Sequence, residues 1–240
     1  MVRVIGGADV MKLVDGYYLP AAEERIEEVL KDSIALGRPA YQHHKVEAAV
    51  ARTERRRNAL DVGSHIGMWS MQLLRLGFEH VHAFEPDESK WGCSLKNVRN
   101  HAADLAGLER SGGFERLTRY DFGLGAADER VELVHKAGTS LKTHVRVGDT
   151  GSLRLRRLDD LGLTDIDFIK IDVEGFELFV VRGAEATIRR DRPVIIVEQK
   201  KDVATKRYGI GDQDALRLLE SWGYEIVEEF NGDFVMVHAG

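Results

Sequence analysis

Residues 224–238, Tyr-Glu-Ile-Val-Glu-Glu-Phe-Asn-Gly-Asp-Phe-Val-Met-Val-His, decide the fold. Two apolar-rich runs, 224–230 and 233–238, flank Asn231-Gly232, a pair suited to the positive backbone dihedrals of a tight hairpin, so these strands pair antiparallel. The chain from residue 58 up to that hairpin follows another rule. Short apolar runs at 59–62, 81–85, 116–120, 168–171 and 194–198 alternate with amphipathic stretches at 67–76, 88–102, 177–189 and 214–222. Strands that alternate with helices form a parallel sheet covered on both faces. The expected fold is therefore α/β, a three-layer sandwich whose seven-stranded mixed sheet is parallel until a C-terminal antiparallel hairpin closes it. Residues 130–155 break the rhythm and are read as a polar, β-rich excursion between the third and fourth strands.

Residues 1–57 precede this pattern and are read as an extension that caps the substrate pocket, leaving 58–240 as the sheet-bearing domain. A hairpin is expected at 11–19 around Asp15-Gly16, a helix over 21–36 and a second helix over 41–53. Ile26, Val29, Leu30 and Ile34 share one face of the first helix, and Glu23, Glu24, Glu27 and Glu28 crowd its start, where the helix dipole favours acids.

Composition excludes several classes. With 240 residues, 43% hydrophobic and 31% charged, the chain has enough apolar mass for a core, and no apolar run approaches the ~18–20 residues that span a bilayer. The start lacks a basic segment followed by an apolar one, so a cytoplasmic location is expected. Cys93 stands alone, which rules out an internal disulfide and a cysteine-built metal cage. The 34 Lys and Arg against 40 Asp and Glu leave a net charge of −6, and that balance offers no general attraction to nucleic acid.

Three motifs carry chemistry. In Leu60-Asp61-Val62-Gly63-Ser64-His65-Ile66-Gly67 a strand runs into a glycine turn that opens a helix; Gly63 permits close ligand approach and Gly67 tight helix packing. The spacing Gly-x-x-x-Gly lacks the middle glycine of pyrophosphate binders, which points to a ligand without a diphosphate. Glu85, in Phe84-Glu85-Pro86, ends the next strand about 20 residues after the turn, where a carboxylate accepts the hydroxyls of a ribose. These two motifs fit either NAD or S-adenosylmethionine. The third, Asp167-Phe-Ile-Lys-Ile-Asp-Val-Glu-Gly-Phe-Glu177, delivers Asp172 and Glu174 to the carboxyl edge of the sheet. Lys170 lies inside that strand and needs a partner to be buried, with Asp172, Glu198 or a substrate group as candidates.

The stretches 61–67, 84–86, 158–161, 170–175 and 193–198, with Asn97, Glu177 and Gly183-Ala184, resemble the FkbM-type S-adenosylmethionine-dependent methyltransferases in order and spacing. Lys-Ile-Asp-Val-Glu-Gly is the most specific element, and the resemblance covers about Leu60 to Glu198. It implies a class I methyltransferase, Rossmann-like fold, which ends in the reversed hairpin that nicotinamide-binding domains lack. It also implies O-methylation of a hydroxyl on a sugar, glycan or small natural product. Asp61, Gly63 and His65 would then lie along the methionine part of the cofactor and Glu85 at the ribose, with the adenine between Pro86 and the wall of Tyr120, Asp121 and Phe122; Ser64, Gly67 and Asp172 are counted with the cofactor-binding residues.

The candidates for chemistry are Asp172 and Glu174, with Lys170, and a histidine from outside the nucleotide half: His43, His44 or His144. An attack in line with the carbon–sulfur bond needs alignment and proton removal, not a covalent nucleophile. Asp172, Glu174 and Glu198 share one edge and could hold Mg2+, but no spacing specifies a metal and none is assigned. Arg52, Arg55, Arg56 and Arg57 before the first sheet strand and Lys200, Lys201, Lys206 and Arg207 after the fifth are read as solvated helix ends, with an anionic acceptor such as a phosphorylated sugar or RNA as the alternative. RNA is disfavoured by the net charge and by the absence of an Asn-Pro-Pro-Tyr motif. The extension would serve as a lid or as the arm of a homodimer. The competing readings are an NAD-dependent oxidoreductase or epimerase, and a domain that binds cofactor or glycan without turnover.

Overall fold

The computed structural model describes residues 3–5, 11–21, 23–35, 41–101, 116–136, 139–147 and 151–240. Three antiparallel strands open the chain: β1 (Arg3–Ile5), β2 (Met11–Val14) and β3 (Tyr17–Pro20). The last two are the expected hairpin, turning through Asp15 and Gly16 at positive φ, and β1 adds a strand absent from the sequence reading. Helices α1 (Arg25–Ala35) and α2 (His43–Val50) follow, both shorter than expected; the Glu23 carboxylate accepts the Ile26 amide at 3.0 Å and sets where α1 begins. Residue 36, given to the first helix, and residue 102, given to the helix after the second sheet strand, lie outside the described residues.

The main sheet is built from β4 (Asn58–Val62), α3 (Met68–Arg75), β5 (His80–Phe84), α4 (Glu88–His101) and β6 (Leu117–Tyr120) in succession. The excursion then forms a small sheet of its own from β7 (Gly123–Leu124), β8 (Glu129–Lys136), β9 (Thr139–Val147) and β10 (Leu153–Arg156). A 3-10 turn (Leu158–Leu161) leads back to β11 (Ile166–Ile171), α5 (Glu177–Arg182), α6 (Glu185–Asp191) and β12 (Val194–Glu198). The chain finishes with α7 (Val203–Tyr208), α8 (Asp214–Ser221), β13 (Tyr224–Phe230) and β14 (Asp233–His238).

Sheet order is β13-β14-β12-β11-β4-β5-β6. All neighbours are parallel except β14, which runs against both β12 and β13 after the turn at Asn231 and Gly232. From β4 the chain steps outward to β5 and β6, then returns to β11 on the other side. The carboxyl ends of β4 and β11 therefore part company at a topological switch point, where open α/β sheets form a crevice.

Alternate strand residues feed two cores. Ile169, Ile171, Ile195 and Val197 pack with Leu178, Val181, Leu216 and Leu219 on one face, while Phe168, Val194 and Ile196 pack with Val46, Val50, Trp69 and Leu73 on the other. A third cluster joins Met11, Leu19, Ile26 and Leu30 of the extension to Met68, Met71, Cys93 and Val98 of α3 and α4.

The expected helix over 177–189 is two helices. A Cβ on Gly183 would overlap the Gly125 carbonyl, so backbone approaches backbone there, and the Gly183 carbonyl accepts the Asp159 amide at 3.1 Å. The Asp159 carboxylate then caps a new helix through the amides of Ala186 (3.0 Å) and Thr187 (2.9 Å). Helix α7 was not read at all, being a single short turn-and-a-half with no apolar stripe. Among the described residues no helix is long and apolar enough to cross a membrane.

Candidate active site

At the end of β4 the backbone turns through Gly63 (φ 77°), His65 (φ 52°) and Gly67 (φ 82°) into α3. Gly63 is demanded by the neighbouring strand, since a Cβ there would overlap the Asp172 carbonyl oxygen. At Gly67 a Cβ would come to 2.7 Å from Ser94 Oγ of α4, which is the tight helix packing expected. Asp61 and Lys170 lie beneath this turn and hold it. Asp61 is fully buried, accepts Ser70 Oγ at 2.6 Å and stands 3.2 Å from Lys170 Nζ. The ammonium donates to the carbonyls of Gly63 (2.7 Å) and Val62 (3.3 Å) and lies 4.0 Å from Asp172. Burial alone would lower Lys170; the Asp61 and Asp172 charges outweigh it and keep it protonated.

Those contacts correct part of the sequence reading. Asp61, Ser64, Gly67 and Lys170 do not line the cleft: the first and last are consumed by each other, and Ser64 and Gly67 face the α3–α4 packing or the interior. Asp121 is exposed, and Phe122 packs on Phe84 and Tyr120 under the Arg156 guanidinium, so neither reaches the cleft wall. The wall they were expected to form is made instead by Gly123, Leu124 and Leu155 of the small sheet.

Glu85 follows β5 and is pinned on both oxygens, accepting the His65 amide at 2.9 Å and the Asp87 amide at 3.0 Å. It faces the cleft together with Pro86, Gly63 and His65. Burial, then the Lys90 and Lys170 charges, hold the His65 imidazole well below its ordinary range and so neutral.

Across the cleft, β11 delivers Asp172, and Glu174 follows in a left-handed conformation at φ 60°. Asp172, Glu174 and Glu198 bring carboxylate oxygens within 4.8 Å of one another. Lys200 meets Glu198 at 2.6 Å and Glu174 at 3.9 Å, and Arg207 meets Glu174 at 3.0 Å. Two acids in one buried site cannot both ionise. Burial and the Asp172 charge push Glu198 up to about 10 against the pull of Lys200, while Lys170 and Lys200 overcome burial to hold Asp172 below the usual carboxylate range. Glu198 thus keeps a proton and Asp172 keeps a charge. Behind them Glu177, only 1% exposed, accepts the amides of Val173 (3.1 Å) and Gly175 (2.9 Å) and fixes the strained turn that carries Glu174.

The cleft between these walls holds about 730 Å3 of atom-free space, solvent at its mouth included. Val62, Phe84, Leu124, Leu155, Val173 and Phe176 line it, and Leu133, His144 and Val145 of β8 and β9 roof it. Apolar slot, pinned carboxylate and charged acid form a donor set that suits a cationic adenosyl ligand, and no glycine-rich cradle for a diphosphate accompanies them.

Residues 61–226 match the family model for the methyltransferase FkbM domain, which is more than half of the chain. The chain belongs to the FkbM methyltransferase family. An FkbM methyltransferase of known structure from Methylobacillus flagellatus is 22% identical, with a TM-score of 0.48, over 75% of this chain and 42% of that one. An O-methyltransferase from Bacillus cereus, solved in complex with SAH, is 17% identical with a TM-score of 0.50 over 88% of each chain. A curated relative, the AMB antimetabolite synthetase AmbE of Pseudomonas aeruginosa, is 29% identical over 204 residues; the alignment takes in 70% of this chain and 9% of that synthetase. The family is that of FkbM methyltransferases, and the fold is the Rossmann-like one of class I methyltransferases.

Within this FkbM chain the histidines expected near the acceptor sort unequally. His43 is held by Gln72 (3.2 Å) and Glu47 (3.0 Å) and His44 is exposed with its ring edge-on to Phe230, so neither lines the cleft. His144 does. From the Tyr41-Gln-His-His44 stretch it is Tyr41 that approaches the acids: burial first, then the Asp172 and Glu198 charges, raise its phenol. Gln72 Nε2 holds the Tyr41 carbonyl at 2.8 Å, Trp69 Nε1 holds the Gln42 side chain at 2.8 Å, and Lys45 pairs with Asp233. Lys90 lines the cleft and breaks a helix-dipole preference, which is the signal in the sequence that marks it.

Proposed function

We propose that the chain transfers a methyl group from S-adenosylmethionine to a hydroxyl oxygen of a sugar, glycan or small natural product. The observation that carries this reading is the pinning of Glu85 on one wall of the switch-point cleft with charged Asp172 on the other. The cofactor, when bound, supplies an electrophilic methyl on a sulfonium. Glu85 would accept the ribose hydroxyls, and Phe84, Pro86, Leu124 and Leu155 would enclose the base. Asp172 would orient the acceptor hydroxyl and take its proton as the oxygen attacks, with protonated Glu198 donating to Asp172 and keeping its free oxygen directed. Tyr41, Glu174 and His144 would shape the acceptor side. That a relative is named as an antimetabolite synthetase supports a small natural product among the acceptors.

The nicotinamide reading is disfavoured by the reversed β14 and the missing glycine cradle. Calorimetry with S-adenosylhomocysteine tests the proposal. We expect binding that Glu85→Ala weakens by at least tenfold; no binding, or binding indifferent to that change, refutes it.

A further inference from the structure

Lys90 has no task in the function just proposed, yet it lines the cleft and is 4% exposed. It sits in the first turn of α4, where the helix dipole disfavours a cation and where Asp87 already caps the helix by accepting the Ser89 amide at 3.1 Å. Its ammonium faces Glu85 Oε1 at 3.6 Å and Asp87 Oδ2 at 3.5 Å. Both separations exceed the ~2.7–2.9 Å of a charge-assisted hydrogen bond. Among the described residues nothing nearer accepts from it. An ammonium has three donors, and that of Lys90 is reached from the cleft rather than sealed in the interior, so a ligand's oxygens can take them. Glu85, beside it, is immobilised by two backbone amides and still faces the cleft.

We infer that Lys90 and Glu85 form a two-sided clamp for a vicinal diol, the ribose of the adenosyl ligand: Glu85 accepts the hydroxyl protons and Lys90 donates to the lone pairs of the same oxygens. This deepens the proposed function and rests on it. A carboxylate alone satisfies only the donor half of each hydroxyl, whereas a hydroxyl also offers two acceptor lone pairs. The other task open to Lys90 is to neutralise Glu85 and Asp87, and the two tasks differ in sign. Removing a mere neutraliser makes the cleft more negative and leaves adenosyl binding unchanged or tighter, most of all for a sulfonium. Removing half of a clamp weakens every ligand that carries the diol.

The test is calorimetry of the full chain with S-adenosylhomocysteine and with 5′-methylthioadenosine, which keeps the ribose and lacks the amino acid. Lys90→Met is expected to weaken both by about 10- to 100-fold, the worth of a hydrogen bond to a charged group. Lys90→Gln, a neutral donor, should fall between it and the wild type. Thermal melting checks that the variants fold. Unchanged or tighter binding by Lys90→Met overturns the clamp; should that variant not fold, wild-type affinity in Lys90→Gln overturns it. Absence of S-adenosylhomocysteine binding by the wild type overturns the proposed function instead, and the clamp with it.

Discussion

Replacing Glu177 by Gln should change how stability depends on pH, and the direction follows from the burial of this acid. Glu177 is raised from 4.5 to about 7, chiefly by burial, although the Val173 and Gly175 amides and Gln199 Nε2 (3.2 Å) all favour its charged form. An acid whose folded pKa exceeds its unfolded one binds more protons folded than unfolded between the two values, so stability is complete below 4.5 and falls as pH rises through about 7. At about 1.4 kcal/mol per unit, this one group should remove about 2–3 kcal/mol between pH 5 and pH 8. Gln cannot titrate. Its amide keeps an oxygen for the two backbone amides and turns its NH2 toward Gln199, whose Oε1 is buried without a partner and becomes an acceptor once that side chain flips. Urea unfolding of both proteins at pH 5, 6, 7 and 8 isolates the effect, because the other titrating groups cancel in the difference. Glu177→Gln should be near-neutral at pH 5 and stabilising by about 2 kcal/mol at pH 8. A difference that is flat with pH, or one that moves in favour of the wild type as pH rises, would falsify the assignment of a protonated, buried Glu177.

Gly63→Ala should cost more than about 3 kcal/mol and abolish S-adenosylhomocysteine binding, since a side chain at φ 77° must push the Asp172 carbonyl away; a melting temperature within a degree or two of the wild type would contradict this. Asp159→Ala removes both cap bonds of α6 and should lower stability by about 1–2 kcal/mol while leaving the cofactor affinity unaltered, because α6 is remote from the cleft; loss of binding would show that the 3-10 turn is coupled to the site. Addition of Mg2+ or of EDTA should leave both cofactor affinity and melting temperature unmoved, because Lys200 and Arg207 already hold oxygens of Glu198 and Glu174 that a cation would need; a rise in melting temperature with millimolar Mg2+ would overturn that.

The fold was legible wherever periodicity or a turn pair was strong. Val194–Glu198 is buried at every position, as its unbroken apolar run demanded, and Asn231-Gly232 at positive φ reverses β14 as its turn chemistry required. What escaped was set by contacts distant in sequence. In residues 177–189 only Gly183 hints locally at a break, and the agent that starts the second helix is Asp159, which lies 27 and 28 residues before the Ala186 and Thr187 amides it accepts. Strand β1 is three residues long, and α7 is a hexapeptide held by Arg207 on Glu174 and Tyr208 on the Val145 carbonyl, so neither shows a period.

The site divides along the same line. Positions at strand ends were readable, because the carboxyl edge of a parallel sheet is where ligands gather: Glu85, Asp172 and Glu174 do line the cleft. Roles were less readable than positions. Asp61 and Lys170 belong to the most recognisable stretches, yet they meet each other beneath the turn, and that meeting depends on the β4–β11 register, which pairs Lys170 with Asp61. A motif can thus be strongly specified because it builds the turn that forms one wall of the cleft. The converse holds for Lys90, which sits in unremarked sequence and reaches the cleft because α4 carries it there. Charge supplies the unifying reason: Glu198 and Glu174 each have a cation of this chain close beside them, at 2.6 and 3.0 Å, whereas Asp172 stands 4.0 Å from Lys170 and Glu85 stands 3.6 Å from Lys90, so the two acids left open are those that face each other across the cleft.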